Sequence, residues 1–322
     1  MARIVTVTPN PALDLTLEVE RLGVGAVNIA GASRFESGGK GANVARMLAH
    51  LGGATISASG GAAASVGAAV SVAAVVALPA DGADSWIAGF PRDVELVAVR
   101  VAGSLRANVA ITAADGETTK VNMRGGPLST ADADALLAAV AAAARGAAWV
   151  VVGGSLPVGM DPSWIGRVAD AARAAGARIA IDCAGDALAA AVDARVDLIK
   201  PNDEEASRLV GFEVTDRMSA ERAAKILTER GVAAVLLSLG ADGAIYRAAN
   251  GETGEASTLF VPTPRAKVRS TVGAGDVLLA AFLHARASGS PVGDALKGAV
   301  GWAAAKVEQP GTTMPTAPLR GA

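Results

Sequence analysis

Asp276 closes the run Ser270-Thr271-Val272-Gly273-Ala274-Gly275-Asp276, and the apolar stretch Val277-Leu278-Leu279-Ala280-Ala281-Phe282 follows it. A Gly-Ala-Gly turn that opens a helix leaves backbone N–H groups without helical partners, at the positive end of the helix dipole. Such a terminus suits an anion, or the charge that builds on a transferring phosphoryl group. Glycine lets the backbone come close to it. A carboxylate in the same place would repel a phosphate. Asp276 therefore reads as a base that takes a proton from an attacking hydroxyl. The competing reading is an acid that only complements the dipole.

A second glycine run, Gly38-Gly39-Lys40-Gly41-Ala42-Asn43, also precedes a helix. Asn43 and the glycine N–H groups suit sugar hydroxyls, and Lys40 suits a negative group; a plain tight turn is the competing reading. Ser238-Leu239-Gly240-Ala241-Asp242-Gly243 follows a strand and turns sharply, as a nucleotide site would need. In Lys200-Pro201-Asn202-Asp203-Glu204-Glu205, Asn202 and Glu205 are three apart at a helix start, so both can face one spot. A hydrated magnesium ion, which keeps its waters and takes few carboxylates, would fit there. Glu205 also reads as an ordinary helix N-terminal acid. Three other chemistries are excluded. The one Gly-Lys pair, Gly39-Lys40, is followed by Gly41, so there is no Walker A loop. The first strand lacks a G-x-G-x-x-G after it, and no G-x-S-x-G elbow occurs.

These loops need a scaffold, and the chain supplies short β-branched runs alternating with Ala-rich helical stretches. Helices are expected over Asn43–Leu51, Ala131–Arg145, Pro162–Ala175, Ala220–Arg230 and Gly275–Ala287, with Ser129 or Thr130 capping the second. Strands are expected over Trp149–Val152, Arg178–Ile181, Leu198–Ile199 and Ala234–Ser238. That alternation predicts an α/β fold with a mainly parallel sheet covered by helices. Two half-polar extended segments interrupt it, about 11–35 and 94–122. Ala114-Asp115-Gly116-Glu117 marks a hairpin turn between Asn108–Thr112 and Thr118–Asn122. They read as a small sheet that covers a site and excludes water, or as an edge sheet used for packing or dimerisation. Without repeats or a long linker, residues 1–322 read as one domain with a lid.

Composition narrows the partners. The formal charge is −2, so no global basic footprint points to nucleic acid or an anionic membrane. The chain holds 75 Ala and 38 Gly, and aromatics are only 3%. With 51% hydrophobic and 19% charged residues it is neither collagen-like nor disordered. The lone Cys183 excludes an internal disulfide and fits a reducing, cytoplasmic setting. Met1-Ala2-Arg3 leads directly into a strand, Ile4-Val5-Thr6-Val7, with no signal pattern. Ala62–Ala80 carries no charge and is long enough to span a bilayer, but its Ala content favours a buried helix–strand segment.

The motifs together resemble the PfkB group of ribokinase-like carbohydrate kinases over nearly the whole chain. They run in the family's order: Thr8-Pro9-Asn10-Pro11-Ala12-Leu13-Asp14, Gly38–Ala45, Gly153-Gly154-Ser155-Leu156-Pro157, Ile181-Asp182-Cys183-Ala184-Gly185, Lys200–Glu205, Ser238–Gly243, Ser270–Asp276 and Gln309-Pro310-Gly311-Thr312. The opening motif, Gly25-Ala26-Val27-Asn28, Gly39-Lys40-Gly41 and Thr119-Lys120-Val121-Asn122 resemble the group's phosphosugar kinases, fructose-1-phosphate kinases first and tagatose-6-phosphate kinases second.

The resemblance implies a ribokinase-like three-layer α/β/α sandwich with a β-sheet lid, and ATP-dependent phosphorylation of a ketohexose phosphate. Fructose 1-phosphate is the expected acceptor. Tagatose 6-phosphate, fructose 6-phosphate, a non-phosphorylated sugar or nucleoside, and a weakly active binding protein are the alternatives. It implies Asp276 as base and Gly273, Ala274 and Gly275 as anion hole. Asp14, Gly39 and Asn43 would hold the sugar, and Arg106, helped by Lys40, its phosphate. Lys200, Asn202, Ser238, Gly240 and Gly243 would line the ATP site, with Glu205 ordering Mg2+ through water. A homodimer through the lid stays open. The chain departs from the group where Gly60-Gly61-Ala62-Ala63-Ala64-Ser65 lacks the usual acid, at Val277 after the base, and at Cys183-Ala184.

Overall fold

The computed structural model describes residues 2–57, 70–250, 256–311 and 313–320. The acid-free Gly60–Ser65 segment and Thr312 lie outside them. In chain order the elements are β1 (Ala2–Thr8), β2 (Ala12–Val19), β3 (Ala32–Gly38), α1 (Lys40–Ser57), β4 (Val70–Asp81), α2 (Ala83–Ala88), β5 (Glu95–Ser104), β6 (Arg106–Ala113), β7 (Thr118–Asn122), α3 (Thr130–Ala143) and β8 (Trp149–Gly153). There follow α4 (Trp164–Ala174), β9 (Arg178–Asp182), α5 (Asp186–Asp193), β10 (Leu198–Ile199), α6 (Asp203–Val210), α7 (Arg217–Glu229), β11 (Ala234–Ser238), β12 (Ala244–Ala248), β13 (Ser257–Val261), α8 (Ala274–Ala287) and α9 (Val292–Val307).

The main sheet has the order β13-β12-β11-β10-β9-β8-β1-β4-β5. Pairing is parallel from β11 to β5, while β12 and β13 close one edge antiparallel. Both faces of the central strands are covered, so successive side chains enter two different cores. Val5 and Val7 of β1 pack with α3 to α7, whereas Ile4 packs with α1, α8 and α9. That is why strands such as Trp149–Gly153 read as continuous apolar runs. Val70–Ala80, the described part of the uncharged stretch, lies in such a strand, β4, flanked by β1 and β5. No helix among the described residues is long and apolar enough to cross a membrane.

A second sheet, β3-β2-β6-β7, stands apart. Here the expectation needs one correction. Of the segment 94–122, only β6 and β7 join this sheet; β5 pairs in parallel with β4 at the edge of the main sheet. An edge strand is covered less fully than a central one, so it carries the same half-polar pattern as a strand of a small sheet. The small sheet alternates cleanly. Asp14, Asn108 and Asn122 lie in one cross-strand row and Phe35, Leu15, Val109 and Val121 in the next, on the opposite face.

Candidate active site

The parallel strands β1, β8, β9, β10 and β11 all end on one side of the main sheet, and residues at or just past the carboxyl ends of β8, β9, β10 and β11 line a cavity of about 560 Å³. Open α/β sheets bind ligands at this end. The polar row of the small sheet, Asp14, Asn108 and Asn122, lines the same cavity. No aromatic side chain among the described residues does so. Phe35 belongs to the outer row and is 61% exposed.

At the cavity floor, Gly273 caps α8 with φ 78°, and no side chain caps that helix. The starts of α3, α6 and α7 are capped by Ser129, Asn202 and Asp216, while α2, α4, α5 and α9, like α8, have no side-chain cap. At α8 the Ala274 N–H reaches the Thr271 carbonyl at 3.4 Å, which leaves the Gly275 and Asp276 N–H groups as the donors a ligand would meet. Asp276 is buried in that turn, and its Oδ2 accepts from Asn43 Nδ2 at 2.8 Å. Arg46, one turn further along α1, donates to Asn43 Oδ1 at 3.0 Å and to the Ser37 carbonyl at 2.8 Å. This fixes which end of the amide faces the aspartate. Burial, with the neighbouring Asp182 charge, pushes the Asp276 carboxyl up to about 6, against the pull of Lys40, the Asn43 hydrogen bond and Lys200.

Asp182 ends β9 and is fully buried. Its Oδ1 takes Lys40 Nζ at 2.9 Å and Lys200 Nζ at 3.3 Å. Burial alone would raise this carboxyl, but Lys200 and Lys40 outweigh it and hold it below the ordinary value. Burial likewise works against the Lys40 ammonium, yet Asp182 and Asp276 keep its pKa above the usual one. Two acids and two lysines, all buried but the partly exposed Lys40, thus form a charge-balanced cluster beside the α8 turn. Lys200, expected in the nucleotide site, lies against that turn: a Cβ on Gly275 would sit 3.1 Å from its Nζ.

The glycines before α1 have a steric reason. A Cβ on Gly41 would come within 2.5 Å of the Val7 carbonyl oxygen and of Thr8 Oγ1, and one on Gly38 within about 2.3 Å of the Asp14 carboxylate. Only bare backbone lets α1 start against the end of β1 with Asp14 beside it. Asp14 Oδ1 accepts from Asn108 Nδ2 at 2.8 Å, and burial raises its pKa. Arg106 gives four of its N–H contacts to protein oxygens, two to the Asn10 carbonyl, one to Asn108 Oδ1 and one to the Met123 carbonyl. It is rigidly held where the cavity meets a smaller one of about 190 Å³.

The expected nucleotide set is only partly brought together. Ser238 and Asn202 line the cavity, while Gly240 and Gly243 lie in the turn beyond β11, outside its wall. Gly243 is needed because a Cβ there would meet the Val261 carbonyl, and its φ is 137°. Asn202 and Glu205 form a reciprocal cap at α6: Oδ1 takes the Glu205 N–H at 2.7 Å and Glu205 Oε2 the Asn202 N–H at 3.0 Å. Glu205 keeps its other oxygen, and Asp182 Oδ2 is buried without a partner among the described residues. The Glu205 carboxylate, on the cavity wall, suits the waters of a hydrated magnesium ion. No group of three His, Cys, Asp or Glu among the described residues could hold a bare one.

Residue-by-residue reading missed four contributors: Asp182, Arg46, Asn10 and Ser155. Asn10 Nδ2 donates to Ser155 Oγ at 3.1 Å, tying the loops after β1 and β8 together at the cavity wall. Asn10, Asp182 and Ser155 stand inside the family motifs, where no local pattern marks what they contact. Cys183 next to Asp182 is inert, since burial pushes its thiol up to about 12.

The chain matches the pfkB family carbohydrate kinase model over residues 8–318. A 1-phosphofructokinase of Haloferax volcanii is 37% identical over 313 residues, 97% of this chain and 93% of that protein. That of Vibrio cholerae is 34% identical over 283 residues, 86% of this chain and 81% of that protein. Phosphofructokinase-2 from Escherichia coli, solved with substrates and products, superposes with a TM-score of 0.84 at 28% identity, covering 98% of this chain and 95% of that one. Ribokinase from Arabidopsis thaliana shares the fold, with a TM-score of 0.70 at 24% identity over 99% of this chain and 97% of that one. A three-layer α/β/α sandwich with a separate small sheet, an uncapped helix over a buried aspartate, and relatives of this kind along almost its full length place the chain in the pfkB family of carbohydrate kinases.

Proposed function

We propose that this kinase transfers the γ-phosphoryl group of ATP to the 6-hydroxyl of fructose 1-phosphate, giving fructose 1,6-bisphosphate and ADP. The observation that carries the reading is Asp276, buried and aimed by Asn43 in the first turn of an uncapped helix. Asp276 takes the hydroxyl proton as the oxygen bonds to the γ-phosphorus and the bond to ADP breaks. The N–H groups of the α8 turn hold the charge on the transferring group, and Lys40 and Lys200 add fixed positive charge. Asp14 and Asn43 hold sugar hydroxyls. Arg106 supplies charge for the phosphate already on the sugar. Ser238 and Asn202 would face the nucleotide, and Glu205 would hold magnesium through water, where the ion would neutralise phosphate charge.

Several features support a charged, non-aromatic acceptor over a nucleoside. The cavity wall among the described residues offers no ring to stack on, and Arg106 and Lys120 are on it. Curated relatives at 30 to 37% identity carry the name 1-phosphofructokinase. A panel of fructose 1-phosphate, fructose 6-phosphate, tagatose 6-phosphate and plain fructose, read by coupled ADP detection, tests the reading. Fructose 1-phosphate is expected to give the highest kcat/KM. Arg106→Ala is expected to raise its KM about tenfold or more while leaving plain fructose unaffected. Equal turnover of plain fructose would refute the phosphate requirement.

The outer row of the small sheet extends the proposal to assembly. Phe35 and Val121 are more than half exposed on an otherwise apolar face. A second copy of this sheet, packed face to face, would cover them on the side away from the cavity.

A further inference from the structure

After Trp86, Lys306 is the largest fully buried side chain among the described residues. An ammonium buried to 1% exposure is costly unless something fixes and uses it. Lys306 stands in the last turn of α9. Its Nζ donates to the Gly311 carbonyl at 2.6 Å, and Gly311 lines the active-site cavity with φ 52°. On the way its Cε passes the α8 cap, 3.7 Å from the point a Cβ on Gly273 would take. The same helix end grips the approach to that turn, since the Val307 carbonyl accepts from the N–H groups of Arg269 and Ser270 at 2.7 and 3.1 Å. Burial pulls its pKa down to about 8, and the charges that oppose this and favour its protonated form are Glu36 on β3 and Asp276 on α8.

We propose that Lys306 is a positioning residue for phosphoryl transfer, which pins the Gly311 loop against the Gly273–Gly275 turn and sets a fixed positive charge beside the α8 N-terminus. The proposal rests on the reading of that terminus as the anion hole. It goes beyond that reading by giving the hole a side chain from the far end of another helix. A charge placed there acts on the transition state, where negative charge on the phosphoryl oxygens is shared most widely. Its loss should therefore appear in kcat more than in KM. It also supplies internally what a small monovalent cation could supply from solution.

The test compares the wild type with Lys306→Met, a near-isosteric neutral variant, in tetramethylammonium buffer with and without added ammonium or potassium. The wild type is expected to turn over equally under all these conditions. Lys306→Met is expected to lose about 10- to 100-fold in kcat, with KM for the sugar phosphate within about threefold, and to regain part of the loss when either ion is added. Unchanged kcat would overturn the proposal. So would a loss that neither ion relieves in a variant melting at the wild-type temperature, because that is packing without charge. If Lys306→Met fails to fold, the wild-type ion response decides: a severalfold requirement for added potassium or ammonium overturns the built-in charge, and indifference supports it. Asp276→Asn in parallel separates the two levels. An active Asp276→Asn removes the base assignment on which the proposed function stands, whereas an inactive Asp276→Asn with an unaffected Lys306→Met removes only the role of Lys306.

Discussion

A carboxylate in water is a poor base for a sugar hydroxyl, and Asp276 is improved by its surroundings. Burial and the Asp182 charge raise it to about 6, so it holds its proton more firmly once it has taken it. The sign of the pH dependence follows. The base must be ionised, so kcat should fall about tenfold per unit as pH drops below about 6 and level off above it. Asp182→Asn removes a negative neighbour and should move that acidic limb to lower pH; an unmoved limb would show that Asp182 does not set it. The same change leaves Lys200 and Lys40 without their shared counter-charge and should lower unfolding free energy by about 3 kcal/mol in a denaturant titration. Asp276 was legible in the sequence because all that marks it lies within one turn, Gly273 to Asp276. Asp182 was not, because its meaning comes from Lys40, 142 residues away. Asn43 was expected on the sugar, and its bond to Asp276 spans 233 positions that no local pattern reports.

At the scale of elements, strands and helices were readable wherever burial was complete. Trp149–Gly153 and Ala234–Ser238 are buried on both faces, and their apolar runs are unmistakable. The strand Glu95–Ser104 was placed in the wrong sheet because edge strands and small-sheet strands share one half-polar pattern. What positions the site is the tight meeting of β1, α1 and β8. A Cβ on Gly153 would come 2.7 Å from the Gly41 backbone N, and one on Gly41 would strike β1. Gly41→Ala should push α1 away from the sheet, cost about 1–3 kcal/mol in stability and lower kcat through displaced Asn43. A variant with wild-type Tm and kcat would show that this contact has slack.

Across the whole molecule, the small side chains and the missing rings have separate consequences. Alanine fills the layers on either side of the main sheet, as Ala42, Ala45, Ala280, Ala281 and Ala299 do between α1, α8 and α9. The near absence of aromatics leaves a cavity suited to a polar, charged sugar. Among the described residues, the outer face of the small sheet leaves Phe35 and Val121 more than half exposed. Sedimentation should show a dimer, and Phe35→Glu with Val121→Glu should yield a monomer with a raised KM for sugar, because the roof strands lose support. A wild type that sediments as a monomer at micromolar concentration would contradict this. Oligomeric state was not readable from the sequence, since alternation shows that a face is apolar but not what covers it.

The most direct measurement of the central claim is the turnover of Asp276→Asn with fructose 1-phosphate and ATP, followed by ADP release. The side chain keeps its size and loses only its capacity as a base. The expected result is a kcat lower by about 10²- to 10⁴-fold, with KM values for both substrates changed by no more than a few-fold. Undiminished turnover would contradict the assignment of Asp276 as the base, and with it the account of the site built around the α8 turn.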